Sequence, residues 1–155
     1  MVRCYVALGS NLGDRLLNLA EARRRLALLG PHRAGPVLET VALLPPGDLT
    51  PQPNYLNSVD ELETTLPAVA LFHELKRIER DMGRVITTRW APRLIDLDLV
   101  LFGAQVIDTP QLVVPHPAMH ERRFVLWPLA QLAPEALHPR LHRSARELLD
   151  QLPGR

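Results

Sequence analysis

Several residue types that mark particular classes of protein are scarce in this sequence. Cys4 is the only cysteine among 155 residues, which excludes an intrachain disulfide and gives no sign of an oxidising compartment. Aromatic residues make up only 5%, and no segment approaches the roughly 20 consecutive apolar residues that a membrane-spanning helix needs. The net charge of +1 gives no support for non-specific attraction to nucleic acid or to an anionic membrane. We therefore expect neither a nucleic-acid nor a membrane partner.

Lysine is nearly absent, since Lys76 is the only lysine among 18 basic side chains. Arginine makes fixed, bidentate contacts with phosphate or carboxylate, whereas lysine acts as a mobile point charge. The arginine bias is compatible with phosphate binding. A GC-rich or heat-adapted source would produce it equally well.

The length and composition are those of an ordinary globular domain. At 155 residues with 46% hydrophobic residues, the chain is long enough for one domain, residues 1–155, with its own core. The N-terminal MVRCYVALGSN carries an arginine inside a short apolar run and lacks the layout of a signal peptide. A cytoplasmic protein is therefore expected.

Hydrophobic patterning predicts strands that alternate with helices. The predicted strands are Val2 to Leu8, Val37 to Leu43, Ser58 to Glu63, Leu94 to Phe102 and a short return at Val106-Ile107. The predicted helices cover 16–27, where Arg23 interrupts the apolar face, 67–83, a patch around 126–132, and a last helix opened by a Ser144–Glu147 capping box. The segment PPGDLTPQPN at 45–54, with four prolines, can be neither a helix nor a central strand. This order predicts helices packed on a small sheet.

Two aspartates interrupt the most apolar predicted strand, 94–102. Strand alternation places Asp96 and Asp98 on one face, with their Cα atoms roughly 7 Å apart. The opposite face is expected to be pure core, formed by Ile95, Leu97, Leu99 and Leu101. Bare carboxylates so close repel each other, so a cation must compensate for them. Two explanations stay open: magnesium shared with substrate phosphates, or ion pairs with the arginines at 84, 89 and 93.

Four segments resemble one known family in the same order. They are GSNLGDR at 9–15, QPNYLNSV at 52–59, RWAPRLIDLDLVLFG at 89–103 and VPHPAMHERRFVLWPL at 114–129. They are similar to segments of 6-hydroxymethyl-7,8-dihydropterin pyrophosphokinase, an enzyme of folate biosynthesis, over essentially Val2 to Leu132. The resemblance implies transfer of the β,γ-pyrophosphoryl group of ATP to the hydroxymethyl oxygen of the pterin, with release of AMP. It also implies two Mg²⁺ ions held by Asp96 and Asp98.

The fold implied by this resemblance is α/β (α+β), a ferredoxin-like αβα sandwich with a small, mostly antiparallel sheet and long mobile loops. A monomer is implied as well. The chain departs from the family pattern at Leu44-Pro45, at Pro51, at Gln111 and Val113, and at Lys76, where a glutamine is common. These departures bear on loop closure and on some of the ATP contacts.

The resemblance also assigns a pterin site. By position its residues are Asn11, Pro45, Tyr55, Asn57, Trp90 and Phe124. An asparagine suits the donor and acceptor edge of a pterin, and an aromatic side chain suits its flat face. Core packing of Tyr55 and Phe124, and stacking of Trp90 on an arginine, are alternatives that the residues leave open.

On the ATP side, the matching positions are Glu79, Arg84, Trp90, Arg93, Leu99, His116 and Arg122. Within the site, Arg84, Arg93, Asp96 and Asp98 would form the catalytic set, because arginines neutralise phosphate charge during transfer. Ordinary alternatives stay open here too: surface ion pairs for the arginines, a structural role for His116, and a helix-surface pair between Glu79 and Lys76.

Two competing functions make different predictions. An RNA-binding ferredoxin-like module requires stacking aromatics in an RNP-type strand, and the sequence contains none. An inactive metal–nucleotide sensor would bind Mg-ATP but release no AMP when the pterin is supplied. The GSNLGDR loop lacks the G-K-[ST] of a Walker P-loop, so it supports no P-loop NTPase.

Overall fold

The computed structural model describes residues 1–42, 44–83 and 94–154, so Arg84, Arg89, Trp90 and Arg93 lie outside the described residues. The strands are β1 (Val2–Ser10), β2 (His32–Arg33), β3 (Leu38–Thr40), β4 (Tyr55–Thr64), β5 (Asp96–Phe102), β6 (Ile107–Asp108), β7 (Val113–Val114), β8 (Leu137–His138) and β9 (Arg143–Ser144). The helices are α1 (Arg15–Ala27), α2 (Ala68–Asp81), α3 (Arg123–Leu132) and α4 (Ala145–Asp150). A 3₁₀ turn, Met119–Glu121, precedes α3.

The main sheet is antiparallel, with β1 and β4 in its interior. Its order is β2-β4-β1-β5, and β3 pairs with the other end of β4. Together β2 and β3 occupy one edge position, so the path is β-α-β-β-α-β, the ferredoxin-like arrangement. The predicted fold class is confirmed.

Apolar side chains cover both faces of this sheet. One core cluster joins α1 and α2 to the face that carries Cys4, Val6 and Leu8. The other joins α3 and α4 to the face that carries Tyr5 and Val59. Helices therefore lie on both sides of the sheet, and the pocket described below opens on the α3 side.

A β-bulge in β5 corrects the predicted alternation. Tyr5 pairs with Leu101 and Val6 pairs with Leu99, which leaves Val100 as an extra residue in β5. Val100 and Leu101 both pack in the α3–α4 cluster, whereas Leu97 and Leu99 pack in the α1–α2 cluster. The prediction was right up to Leu99 and wrong at Leu101, because a bulge reverses the faces of every residue that follows.

Shorter elements differ more from the prediction. The edge strand β3 covers only Leu38–Thr40, β2 was not predicted, and the return strand β6 pairs with β7. The capping box is confirmed: Ser144 Oγ accepts a hydrogen bond from Glu147 N, and a Glu147 carboxylate oxygen accepts one from Ser144 N. Among the described residues, no helix is both long and apolar enough to cross a bilayer.

Candidate active site

A pocket of about 260 Å³ lies on the sheet where β4, β1 and β5 run side by side. Its lining residues are Ala7, Leu8, Gly9, Thr40, Val41, Gln52, Tyr55, Asn57, Ser58, Asp96, Asp98, Arg122 and Phe124. In β1, Gly9 is paired with Asn57 on one side and with Asp96 on the other. Ala7, two residues earlier in β1, is paired with Asp98 of β5. Because directly paired residues share a face of a sheet, small β1 residues form a floor between an amide and two carboxylates.

Gly9 keeps this floor open. A Cβ built on Gly9 would lie 3.5 Å from Asn57 Oδ1 and 3.5 Å from a Tyr55 ring carbon. Both are ordinary contact distances, so the glycine is not required by sterics of the fold. Its small size instead leaves the space above β1 to a ligand.

The amide of Asn57 is oriented by the edge strand β3. Its Nδ2 donates to Thr40 Oγ1 at 2.7 Å and to Leu38 O at 3.4 Å. This use of the amino group turns Oδ1 toward the floor at Gly9. Asn57 therefore presents a hydrogen-bond acceptor to the pocket.

Two aromatic rings line the pocket, one from β4 and one from α3. Tyr55 opens β4, and Phe124 lies in the first turn of α3. The guanidinium carbon of Arg122 lies 5.5 Å from the centre of the Phe124 ring, within cation–π range. Both rings are half-buried rather than part of the sealed core, so a flat ligand could contact them.

The proline-rich segment is tied to the pocket by hydrogen bonds from residues around α1. Asn11 is fully buried, and its Nδ2 donates to Gln52 Oε1 at 3.3 Å and to Pro53 O at 3.2 Å. Arg15 donates to Asn54 O at 2.7 Å and pairs with Glu39 at 3.0 Å. Asn11 thus supports the pocket wall through Gln52, and Pro45 lies in the same segment without lining the pocket.

The two aspartates of β5 have different surroundings. Both line the pocket, as alternation predicted. The Asp98 side chain is 48% exposed, and one of its carboxylate oxygens lies 3.5 Å from Lys76 Nζ. Its neighbour Asp96 is half-buried beside Gly9. The predicted pairing with arginines 84, 89 and 93 lies outside the described residues.

An ion pair from α2 holds the backbone between these aspartates. Glu79 is only 1% exposed, and its carboxylate accepts a hydrogen bond from Leu97 N at 2.6 Å. Lys76 Nζ donates to Leu97 O at 2.8 Å and to Glu79 at 3.3 Å. The predicted Lys76–Glu79 pair is present, but it lies against the backbone edge of β5 rather than on the helix surface.

His116 lies close to the exposed aspartate. Its Nδ1 accepts a hydrogen bond from Ala118 N at 3.1 Å, so the neutral ring carries its proton on Nε2. Burial lowers the pKa of His116, Arg122 and Lys76 lower it further, and Asp98 opposes them. The lowered pKa favours the neutral ring, whose one N–H donor belongs to a side chain near Asp98.

The structure brings together many of the predicted site residues. Six of them line the pocket or the floor beside it: Tyr55, Asn57, Asp96, Asp98, Arg122 and Phe124. Leu99 is buried in the α1–α2 core cluster, on the face of β5 opposite to the aspartates. Arg84, Trp90 and Arg93 were assigned to the site by resemblance, and they lie outside the described residues.

The sequence did not predict the site residues that contribute through their small size or through a contact distant in sequence. Ala7, Gly9 and Thr40 line the pocket, and Lys76 contacts Asp98. GSNLGDR and QPNYLNSV, which contain or flank some of these positions, were the only signal available. Nothing local in the sequence indicated that Lys76 would reach β5.

This geometry suits a ligand with a flat heterocycle and an anionic tail. Rings and an amide oxygen lie at the β4 side, and carboxylates, Arg122 and the His116 N–H lie at the β5 side. Within residues 1–42, 44–83 and 94–154, no group of three His, Cys, Asp or Glu side chains could enclose a metal ion. Two neighbouring carboxylates alone fit a hard cation, such as Mg²⁺, that completes its shell with water and substrate phosphates.

Comparison with known sequences gives a consistent result. A family model described as 7,8-dihydro-6-hydroxymethylpterin-pyrophosphokinase matches residues 5–134. A Pseudomonas aeruginosa 2-amino-4-hydroxy-6-hydroxymethyldihydropteridine pyrophosphokinase is 43% identical over 143 residues, which cover 88% of this chain and 84% of that protein. A Bacillus subtilis protein of the same name is 42% identical over 130 residues, covering 83% and 76%.

Larger proteins contain a similar region. The folic acid synthesis protein fol1 of Schizosaccharomyces pombe is 36% identical over 153 residues, 97% of this chain but only 20% of that protein. A Plasmodium falciparum HPPK-DHPS crystal structure with STZ-DHP superposes with a TM-score of 0.74 at 14% identity, covering 97% of this chain and 43% of that one. The structural match supports the fold alone. From the family model and the bacterial relatives together, we conclude that this chain belongs to the 7,8-dihydro-6-hydroxymethylpterin-pyrophosphokinase family.

Proposed function

We propose that this chain transfers the pyrophosphoryl group of ATP to the hydroxymethyl oxygen of 6-hydroxymethyl-7,8-dihydropterin in folate biosynthesis, and that Asp96 and Asp98 hold two Mg²⁺ ions for this reaction. Pyrophosphokinase activity follows from family membership. The observation that supports the site is the position of Ala7 and Gly9 in β1. They form a floor between the amide of Asn57 on one side and the carboxylates of Asp96 and Asp98 on the other.

The pterin would lie on the β4 side of the pocket. Asn57 Oδ1 is an acceptor for the N–H groups on the edge of the ring, and Tyr55 and Phe124 offer aromatic faces. Trp90, which lies outside the described residues, would also contact the pterin. Asn11 would act indirectly, because its hydrogen bond holds Gln52 at the pocket wall.

The triphosphate would lie on the β5 side. Arg122 is always charged and lies at the pocket, and neutral His116 offers its Nε2–H as a hydrogen-bond donor. Arg84 and Arg93 would complete the clamp on the phosphates. Glu79 would act by holding Leu97 rather than by touching the nucleotide, because its carboxylate is buried against that backbone.

Catalysis in this arrangement depends on position and charge. Bound Mg²⁺ would neutralise phosphate oxygens and make the pterin hydroxyl more acidic. The chain's own residues would orient the two substrates on one floor, and the Asn11–Gln52 contact holds the proline-rich segment at the pocket wall. Exclusion of water by this segment would limit wasteful hydrolysis of ATP.

The test is an AMP assay with purified protein, ATP, Mg²⁺ and the pterin. We expect AMP and the pterin diphosphate in equal amounts, no AMP without the pterin, and no product when a chelator removes the metal. ATP binding without AMP release would support the sensor alternative instead. Activity that survives complete metal removal would overturn the role given to Asp96 and Asp98.

We further propose that residues 1–155 form a single catalytic domain that works as a cytoplasmic monomer. The ferredoxin-like sheet and both core clusters are built from segments that span the described chain, which supports one cooperative unit. Light scattering during size-exclusion chromatography should give a mass near 17.4 kDa. A dimer mass would contradict the monomer proposal.

A further inference from the structure

Lys76 is the only lysine of the chain, and it reaches the strand that carries both aspartates. β5 is the last strand of the main sheet, so among the described residues no strand pairs with its outer edge. At that edge, Leu97 donates its N–H to Glu79 and accepts a hydrogen bond from Lys76 at its carbonyl. The two α2 side chains thus take the place of a sixth strand at the residue between Asp96 and Asp98.

Lys76 has little freedom to leave this position. Its Nζ is held by Leu97 O at 2.8 Å and by Glu79 at 3.3 Å, and it lies 5.6 Å from the centre of the Phe72 ring. These contacts come from the backbone of β5 and from α2 itself. The ammonium is therefore a fixed charge rather than a flexible surface lysine.

The same ammonium lies 3.5 Å from a carboxylate oxygen of Asp98. A divalent cation that approaches this carboxylate alone meets an anchored positive charge, which opposes its binding. An ATP triphosphate brings negative charge of its own and offsets this repulsion. Cation binding at Asp98 should then depend on whether the nucleotide is present.

We propose that Lys76 is a positioning residue that weakens binding of a free divalent cation at Asp98 and so couples cation loading to the arrival of ATP. This proposal rests on the cation-binding role of Asp98 given above. It concerns the order in which ATP and the divalent cation bind and the coupling between them. It follows from the contacts of Lys76, which was not among the predicted site residues.

The experiment measures binding of Mn²⁺ alone by electron paramagnetic resonance, which detects the free ion. Lys76→Gln removes the charge but keeps an amide that can donate to Leu97 O. We expect it to bind Mn²⁺ about five- to tenfold more tightly than the wild type without nucleotide. With a non-hydrolysable ATP analogue, the difference between the two proteins should shrink to less than about twofold.

Arg77→Gln is the matched control, because it removes one positive charge from the adjacent position of α2. Arg77 is exposed and pairs with Glu74 and Asp81, on the outer side of the helix. Its Mn²⁺ affinity should equal that of the wild type, and Lys76→Arg, which keeps the charge, should retain the weak binding. Melting temperatures of all variants establish that they are folded.

Two outcomes overturn the proposal in distinguishable ways. Equal Mn²⁺ affinities for Lys76→Gln and Arg77→Gln would show that Lys76 has no specific effect, and the cation role of Asp98 would stand. Absence of Mn²⁺ binding in every protein, even with the ATP analogue and after subtraction of the Mn²⁺ that the analogue binds by itself, would overturn both this proposal and the metal role given to the aspartates.

Discussion

Asp60 and Asp98 are carboxylates on the two strands that flank β1, and their surroundings are opposite. Asp60 is completely buried on the α1 face and accepts hydrogen bonds from Arg23, Ser58 and the backbone N–H of Gly35, with His32 Nε2 at 2.7 Å. Asp98 is half exposed on the pocket face and has a long contact with Lys76. Saturation with partners makes the first a structural group, whereas the second keeps oxygens available for a ligand.

The comparison also explains Arg23, which interrupts the apolar face of α1. Its guanidinium spans Asp60, Ser58 and Gly35 O, and so ties α1 to β4 and to the chain before β3. This chain segment leads to Thr40, which orients Asn57. A buried network on one face of the sheet thus supports a binding residue on the other.

The same isosteric change at each aspartate should separate these roles most clearly. We expect Asp98→Asn to lower kcat a thousandfold or more, because the site loses a cation ligand, while the free energy of unfolding changes by less than about 0.5 kcal/mol. Steady-state AMP production and urea unfolding measure the two effects. Asp108→Asn, at an exposed position in β6, is the control for loss of a surface charge. Full activity of Asp98→Asn would refute the functional half of the comparison.

Asp60→Asn should show the reverse pattern. It leaves the Arg23 guanidinium without its counter-charge, and we expect a loss of about 3 kcal/mol in the free energy of unfolding, limited by the 22% exposure of Arg23. Under conditions where the variant is folded, kcat should stay within a few-fold of the wild type. A thousandfold loss of kcat in folded protein would place Asp60 in the reaction rather than in the scaffold.

Two glycines extend the comparison to backbone positions. A Cβ on Gly35, beside Asp60, would lie 2.1 Å from Val59 O, so Gly35→Ala should cost about 2 kcal/mol of stability.

Gly9→Ala meets only ordinary contacts, and we expect unchanged stability with a KM for the pterin raised about tenfold. The KM for ATP should change less, because the atoms that a Cβ on Gly9 would contact belong to Asn57 and Tyr55. Equal effects of Gly9→Ala on both KM values would contradict this placement.

The smallest expected effect concerns the pH dependence of stability near Asp98. Burial lowers the pKa of His116 below its ordinary value, so the unfolded chain takes up a proton before the folded one does. Stability from this residue is therefore complete above about pH 6.5 and decreases as the pH falls below that value. Unfolding in chelator-containing buffer should show a smaller loss of stability toward acid pH for His116→Asn than for the wild type. Parallel curves for the two proteins would contradict the lowered pKa.

Much of the fold was predictable because its signals are local. The 3.6-residue spacing of α1 and α2, the Ser144 capping box and the alternation from Ile95 to Leu99 are set by neighbouring residues. The two-residue strand β2 lacks such a pattern, since it forms only by pairing with Leu62 and Glu61 of β4. The bulge at Val100 was likewise not predictable, because it depends on the register with Tyr5 and Val6 of β1.

The candidate site divides in the same way. Asp96 and Asp98 were predicted from alternation within one strand, and Tyr55, Asn57, Arg122 and Phe124 from a resemblance of short motifs, and all six meet at one pocket. Glu79 and Leu99 were assigned to ATP by the same resemblance, and this assignment stays a prediction; the Glu79 carboxylate accepts a hydrogen bond from Leu97 N, and Leu99 is buried. A sequence motif indicates which positions form a site, but it does not show which neighbouring group each side chain contacts.

By itself, the sequence determined where the longer strands and helices lie, that two carboxylates share one face of β5, and to which family the chain belongs. Only the tertiary structure decided that Gly9 separates Asn57 from Asp96, that Asp60 is saturated by Arg23, and that Lys76 reaches Asp98. The physical reason is range: periodicity and capping depend on residues a few positions apart, whereas charge pairing across the sheet depends on which elements pack together.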